Sequence, residues 1–163
     1  MYSRFDSFQM MDVVPATASG KIELFPEHLE AASEAGLYRY LGGAESSGQH
    51  PLALISPSTP QTVNSSLGYL VEKQAVAILH HKDAAPQNIQ TGQAIRLFNS
   101  SGEVVVDAKV DESVAPGVVC LPKGLWMRHA KNARTSNALA PDSLSDIGAG
   151  ACFNDTRIEV ALA

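Results

Sequence analysis

The stretch IRLFNSSGEVVVDAKV, residues 95–110, decides the fold class because it has the pattern of two β-strands joined by a short loop. Ile95–Phe98 and Val104–Val110 are rich in the branched and aromatic residues that favour strands. Asn99–Gly102 lies between them, has the length of a four-residue hairpin loop and ends on a glycine that is free to take a positive φ. The sequence therefore predicts an antiparallel hairpin.

Further segments on both sides of this hairpin have the same apolar character and are bounded by turn-forming residues. They are Leu52–Ile55, Val76–Leu79, Val118–Leu121 and Ile158–Val160. A short helix or helical turn is predicted to open at Asp83, with Asp83 as its N-cap. Six short strands with unequal loops favour a compact, mainly β barrel over a Greek-key sandwich.

Residues 1–50 have a different pattern from the rest of the chain. Pro26–Gly36 predicts one short helix, because proline suits a first turn, the acidic residues after it suit the positive end, and glycine suits the stop. The Gly- and Ser-rich residues 42–48 are typical of a flexible link. We therefore expect residues 1–50 to form an N-terminal arm and linker, and residues 51–163 to form the β-barrel domain.

The composition excludes several classes of protein. A chain of 163 residues with 45% hydrophobic and 18% charged residues is typical of one globular domain. Its net charge of -5, without a cluster of Lys or Arg, argues against nucleic acid as a partner. The longest apolar run, Ala75–Leu79, is far too short to span a bilayer, and the first residues lack the pattern of a secretory signal. We therefore expect no membrane insertion and a cytoplasmic location.

The residue types that bind metals are present but poorly spaced. Cys120 and Cys152 lack a Cys-x-x-Cys spacing and a nearby histidine, so we expect buried free thiols. His80 and His81 follow a predicted strand, where adjacent side chains point to opposite faces, so solvated or helix-capping roles are expected. The sequence predicts no metal site.

Two polar loops are candidates for ligand binding. The first, SPSTPQTVNSSLG at residues 56–68, carries many hydroxyls and amides and no charged residue. Such a loop can bind an anion through neutral donors and backbone dipoles. Residue types alone favour the alternative, a polar loop whose hydroxyls satisfy its own backbone. In the second loop, residues 122–153, Asn137 offers an amide to a heterocycle, and Trp126 either covers the barrel end or contacts a ligand.

Taken in order, several segments resemble the C-terminal dinucleotide-binding domain of the molybdopterin oxidoreductases, the family of the formate dehydrogenases, nitrate reductases and dimethyl sulfoxide reductases. No single segment is diagnostic, but the ordered set covers nearly the whole chain. Gln93 stands where the family usually has the Asp of a Gly-Asp turn, a difference that affects the turn and not the site. The matching segments are residues 17–24, 51–57, 64–67, 82–84, 89–97, 116–119, 137–139 and 150–154.

The resemblance implies a six-stranded double-psi β-barrel that holds part of a molybdopterin guanine dinucleotide. Two such cofactors would bind molybdenum or tungsten in the full-length enzyme, whose other domains carry the metal ligand and any iron–sulfur cysteines. The chain is then a fragment that is not catalytically complete, and its partners are the remaining domains of the parent oxidoreductase. We expect the isolated domain to hold the cofactor weakly, because a ligand shared between domains is half exposed in each.

The resemblance also implies which residues contact the cofactor. Donors to the pyrophosphate and pterin are expected in the first loop, and one polar contact in the second. Four further residues are expected near the cofactor because they lie close to matching segments. The expected donors are Ser56, Ser58, Asn64, Ser65, Ser66 and Asn137, and the further residues are Trp126, His129, Phe153 and Asn154.

Two other classes of function remain open at this stage. The chain is alternatively a free-standing small β-barrel that acts as an interaction or recognition module, with its Asn- and Ser-rich loops as the binding face. A small Ser-His-Asp hydrolase is disfavoured, because the sequence contains no Gly-x-Ser-x-Gly elbow. We predict no catalytic residue in this chain.

Overall fold

The computed structural model describes residues 14–33, 36, 37, 39, 49–145 and 147–163. The chain divides into two compact units, Met1–Leu41 and Gly42–Ala163. Within the described residues, no helix is long and apolar enough to cross a membrane.

The first unit contains the helix that was predicted after Pro26. This helix, α1, spans Glu27–Ala32. It ends earlier than the predicted stop at Gly36, because Ser33 already has an extended backbone with φ -102° and ψ 125°. The predicted link at residues 42–48 lies outside the described residues, and the domain boundary at residue 50 stays a prediction.

The second unit contains a closed barrel of six strands in the order β1-β5-β2-β4-β3-β6. All six predicted strands are confirmed: β1 and β2 have the predicted ends, and the ends of the other four are shifted by at most two residues. The strands are β1 (Leu52–Ile55), β2 (Val76–Leu79), β3 (Ala94–Phe98), β4 (Glu103–Val110), β5 (Val118–Cys120) and β6 (Arg157–Leu162).

The strand directions confirm the predicted double-psi β-barrel. β1 pairs with β5, and β2 with β4, in parallel, whereas the other neighbouring pairs are antiparallel. A parallel pair cannot be closed by a hairpin and needs a longer crossover. β1 and β2 are not neighbours in the barrel, and neither are β5 and β6, so the long segments after β1 and after β5 each cross over to a strand that is not adjacent.

The core lies inside the barrel and follows the alternation expected of strands. In β4, Val104, Val106 and Ala108 are buried, and in β3 so are Ile95 and Leu97. The same buried cluster includes Leu139, from the segment between β5 and β6. That segment is therefore anchored in the core, although the sequence predicted only a loop there.

The hairpin between β3 and β4 has the predicted four-residue loop, with Phe98 opposite Glu103. Gly102 does not take the positive φ that its position suggested. Glycine is needed there for space, because a Cβ at Gly102 would lie 2.7 Å from the carbonyl oxygen of Ala138.

The helix after β2 begins earlier than predicted. This helix, α2, spans His81–Ala84, and the Nδ1 of His80 accepts a hydrogen bond from Lys82 N at 3.1 Å. The prediction of Asp83 as the cap is wrong, whereas a capping role for His80 is confirmed. Asp83 instead accepts from Gly117 N at 2.8 Å, which ties α2 to the turn before β5.

His80 and His81 do not lie in one extended segment, because α2 begins between them. Their ring centroids are 4.1 Å apart, so the expectation of opposite faces is wrong. With Glu112 they offer three ligand atoms within 4.8 Å of one another. Because His80 Nδ1 already accepts from a backbone N–H, its other ring nitrogen carries the proton and has no lone pair for a metal.

The remaining helical elements are single 3-10 turns, most of them in the two loops that carry the predicted site residues. They are Val63–Ser65, Gly68–Leu70, Ala85–Gln87, Met127–His129, Ser136–Ala138 and Phe153–Asp155.

The two free cysteines differ in their environments. Cys120 at the end of β5 is buried, as expected, but Cys152 is only half-buried in the turn before Phe153–Asp155, so the expectation of a buried thiol is wrong there. Burial raises the pKa of the Cys120 thiol.

We predict that iodoacetamide alkylates Cys152 much faster than Cys120 in the folded chain, because Cys120 is less accessible and burial raises the pKa of its thiol. Peptide mass mapping after a short reaction at pH 8 measures the two rates. The same reaction in urea is the control and should remove the difference. Equal labelling of the folded chain would contradict the prediction.

Candidate functional site

The loop after β1 contains an unusual run of left-handed backbone. Asn64, Ser65 and Leu67 have φ values of 51°, 59° and 58°. For residues other than glycine this conformation costs on the order of 1–3 kcal/mol each, and such strain clusters at binding sites and switches. The backbone of this loop therefore supports a ligand-binding role.

The side-chain hydrogen bonds of the same loop show which hydroxyls satisfy the loop itself and which are available to a ligand. Thr59 and Thr62 satisfy the loop itself, with their hydroxyl oxygens 2.8 Å apart and Thr59 N donating to Thr62 Oγ1. By contrast, all six predicted donors lack a side-chain hydrogen bond to any described residue. They are Ser56, Ser58, Asn64, Ser65, Ser66 and Asn137.

The segment after β5 runs along this loop and is joined to it at three points. Lys123 N donates to the carbonyl oxygen of Pro57 at 3.0 Å. The indole N–H of Trp126 donates to Ser65 O at 2.9 Å, and the guanidinium of Arg128 donates to Gly68 O at 2.8 Å. Trp126, which is 38% exposed, thus holds the strained part of the loop and still presents part of its ring to the outside.

His129 is a buried residue that holds Trp126 in this arrangement. It is 2% exposed, and its Nδ1 accepts from Trp126 N at 2.9 Å. The other nitrogen, Nε2, therefore carries the proton and donates to Val71 O at 2.9 Å. These bonds give His129 a positioning role, and its direct contact with a cofactor stays a prediction.

Three of the predicted residues come together at one pocket. Ser56 follows β1, whereas Asn137 and Phe153 lie in the segment between β5 and β6. The pocket has a volume of about 220 Å³ and is lined by Leu54, Ser56, Lys123, Ser136, Asn137, Ala140, Phe153 and Thr156. This volume is below the roughly 300–1,000 Å³ of sites for whole drug-sized ligands, so it suits one part of a dinucleotide.

The other predicted residues do not line this pocket. Most lie on the neighbouring polar loop or beneath it, and Asn154 is exposed beside Phe153. Those outside the pocket are Ser58, Asn64, Ser65, Ser66, Trp126, His129 and Asn154.

Sequence reasoning missed Lys123. The sequence predicted that the polar loop binds an anion without the help of Lys or Arg. The lining of the pocket nevertheless includes one cationic side chain, Lys123, and no carboxylate. The only signal in the sequence was the place of Lys123 directly after the predicted β5 and Pro122. Its approach to the first loop depends on a backbone hydrogen bond that connects residues far apart in the chain.

A second, larger groove lies beside the loop and contains none of the predicted residues. It has a volume of about 860 Å³ and is lined mainly by apolar residues, with Leu67, Leu70 and Val76 among them. These three side chains are also exposed, at 52%, 64% and 38%.

The barrel, its strained polar loop and the small pocket together form a candidate site for one part of a polar ligand. The model of the family described as "Molydopterin dinucleotide binding domain" matches residues 52–157, which is most of the chain. The chain belongs to this family.

Relatives of known name agree with this assignment. Over 149 residues the chain is 34% identical to "Probable oxidoreductase YoaE" of Bacillus subtilis, covering 88% of this chain and 22% of that protein. Over 124 residues it is 30% identical to "Trimethylamine-N-oxide reductase" of Haemophilus influenzae, covering 68% and 15%. The chain thus spans less than a quarter of the length of either curated relative.

A solved structure supports the fold. The chain superposes on acetylene hydratase from Pelobacter acetylenicus with a TM-score of 0.77 and 20% identity, covering 96% of this chain and 25% of that one. At this identity the likeness establishes the architecture of the barrel and nothing about its chemistry.

Proposed function

We propose that this chain binds part of a molybdopterin guanine dinucleotide as the C-terminal domain of a larger molybdenum or tungsten oxidoreductase. The observation that carries the proposal is the set of six predicted donors, none with a side-chain partner among the described residues, in a member of the dinucleotide-binding family. When bound, the cofactor supplies the redox chemistry, and the chain binds and orients it.

The residues of the chain divide this work between two places. Ser56 and Asn137 donate into the small pocket, where the exposed ring of Phe153 offers an apolar face. Ser58, Asn154 and the run from Asn64 to Ser66 donate along the surface beside it. Trp126 and His129 keep the strained loop in the conformation that presents these donors.

The remaining domains of the parent protein are the proposed partners. The pocket encloses only one part of the cofactor, so other domains bury most of the dinucleotide. The complete site of the parent protein holds two cofactors and one metal. The apolar groove with exposed Leu67 and Leu70 is the kind of surface that another domain of the parent protein would cover. For the same reason the isolated chain holds the cofactor weakly.

The substrate of the parent enzyme has two candidates. The resemblance to formate dehydrogenases favours formate oxidation. The relatives that are named as reductases of trimethylamine N-oxide and biotin sulfoxide favour oxide reduction. Dye-linked assays of the full-length enzyme with formate and with each oxide distinguish the two.

We expect Asn64→Ala and Asn137→Ala, each made in the full-length protein, to lower cofactor occupancy while the barrel stays folded. Losing one hydrogen bond of about 0.5–1.5 kcal/mol weakens binding roughly 2- to 10-fold. Mass spectrometry of the released pterin dinucleotide and metal analysis measure the occupancy, and thermal melting reports the fold. Gln87→Ala, which removes an exposed amide outside both loops, is the matched control.

Native mass spectrometry of the full-length protein tests the proposal as a whole. Two pterin guanine dinucleotides with about one molybdenum or tungsten are expected. A product with neither would overturn the proposal and favour the interaction module. Unchanged cofactor content in both asparagine variants would show that Asn64 and Asn137 do not contact the cofactor.

A further inference from the structure

The small pocket carries an uncompensated positive charge. Lys123 is the one charged side chain in its lining, in a chain whose net charge is -5. Lys109 and Lys131 form ion pairs with Asp111 and Asp107 at 2.6 and 3.0 Å. Lys123 forms no ion pair with any residue that the structure describes.

The position of Lys123 is fixed at both ends of the residue. Its backbone N donates to Pro57 O at 3.0 Å, which places it beside the start of the polar loop. Its ammonium nitrogen lies 5.0 Å from the centroid of the Phe153 ring, in a cation–π contact. Lys123 is half-buried, so its charge acts through a medium less polar than bulk water.

The neighbours of this ammonium group define the ligand chemistry. The Ser56 hydroxyl and the Asn137 amide line the same pocket and offer neutral donors, and no carboxylate competes for the cation. Several donors around one point charge suit a phosphate group, which presents only acceptor oxygens. We infer that Lys123 binds one phosphate of the dinucleotide in this pocket, an assignment that rests on the proposed function.

The test uses the full-length, cofactor-loaded protein and measures cofactor retention after gel filtration at increasing KCl. Lys123→Met should weaken binding roughly 10- to 100-fold, since a hydrogen bond to a charged group is lost. It should also make retention less sensitive to salt, because one screened attraction disappears. Lys123→Arg, which keeps the charge, should restore most of the retention and the salt sensitivity.

Lys82→Met is the matched control, since it removes an exposed lysine on α2 that does not line the pocket. Its retention should equal that of the unchanged protein. Thermal melting of every variant after removal of the cofactor shows whether the barrel is intact, and we expect no difference between the two lysine-to-methionine variants.

The outcomes separate this inference from the proposed function. If Asn64→Ala and Asn137→Ala lose cofactor while Lys123→Met retains it with normal salt sensitivity, the charge assignment is overturned and the proposed function stands. If all three retain it, both fail. If Lys123→Met and Lys123→Arg lose cofactor equally and melt early, Lys123 is a structural residue and the assignment is also overturned.

Discussion

Replacing Gly124 with alanine is expected to lower the free energy of unfolding by about 2–5 kcal/mol, the sum of a left-handed backbone and an overpacked contact. Gly124 has a φ of +79°, and a Cβ there would lie 2.0 Å from the carbonyl oxygen of Thr62. Backbone cannot move aside as a flexible side chain does. The segment that carries Lys123 and Trp126 should therefore separate from the polar loop, and cofactor content should fall with it.

Gly92→Ala is the matched control for this prediction. Gly92 has a similar φ of +88°, but nothing lies within 4 Å of its hypothetical Cβ. Gly92→Ala should lower the free energy of unfolding only by the cost of the left-handed backbone, about 1–2 kcal/mol. Urea unfolding of both variants measures the difference, with an unchanged m-value as the check on two-state behaviour. Equal destabilisation by the two substitutions would show that the contact with Thr62 contributes nothing.

The strands of the barrel were predictable because each is a local pattern. Val104–Val110 and Ile95–Phe98 are recognisable from branched residues and turn formers within about ten residues. The start of α2 was not predictable, because it depends on where β2 stops hydrogen bonding. It also depends on the ring of His80, which accepts the capping hydrogen bond. A cap by Asp83 and a cap by His80 are both compatible with the sequence, and the tertiary bond from Gly117 decides between them.

The candidate site divides in the same way. Residue types alone favoured a polar loop that satisfies its own backbone, and only the resemblance supplied the donors, whose contacts with a cofactor stay a prediction. The contacts that hold the loop were not predictable, because Trp126 and Ser65 are 61 residues apart in the chain. Lys123 was missed for the same reason, since its distance from Phe153 exists only once the barrel has closed.

The hairpin loop between β3 and β4 contains a second residue that links distant segments. The side-chain amide of Asn99 donates to Leu139 O at 2.8 Å and to Arg157 O at 3.0 Å. Its oxygen accepts from Ser101 N and Gly102 N at 2.9 and 3.2 Å. Asn99 thus ties the hairpin to the segment that carries Asn137 and to the start of β6.

We expect Asn99→Ala to destabilise the chain by about 2–6 kcal/mol, because four hydrogen bonds of about 0.5–1.5 kcal/mol each disappear. Asn132→Ala is the comparison, since Asn132 makes two bonds of the same kind, to Val105 N and Glu103 O, and should cost about half as much. Urea unfolding measures both. Because Leu139 is two residues from Asn137, only Asn99→Ala should also lower cofactor content in the full-length protein. Equal stability losses, or normal cofactor content in an Asn99→Ala protein of reduced stability, would mean that Asn99 does not position the second loop.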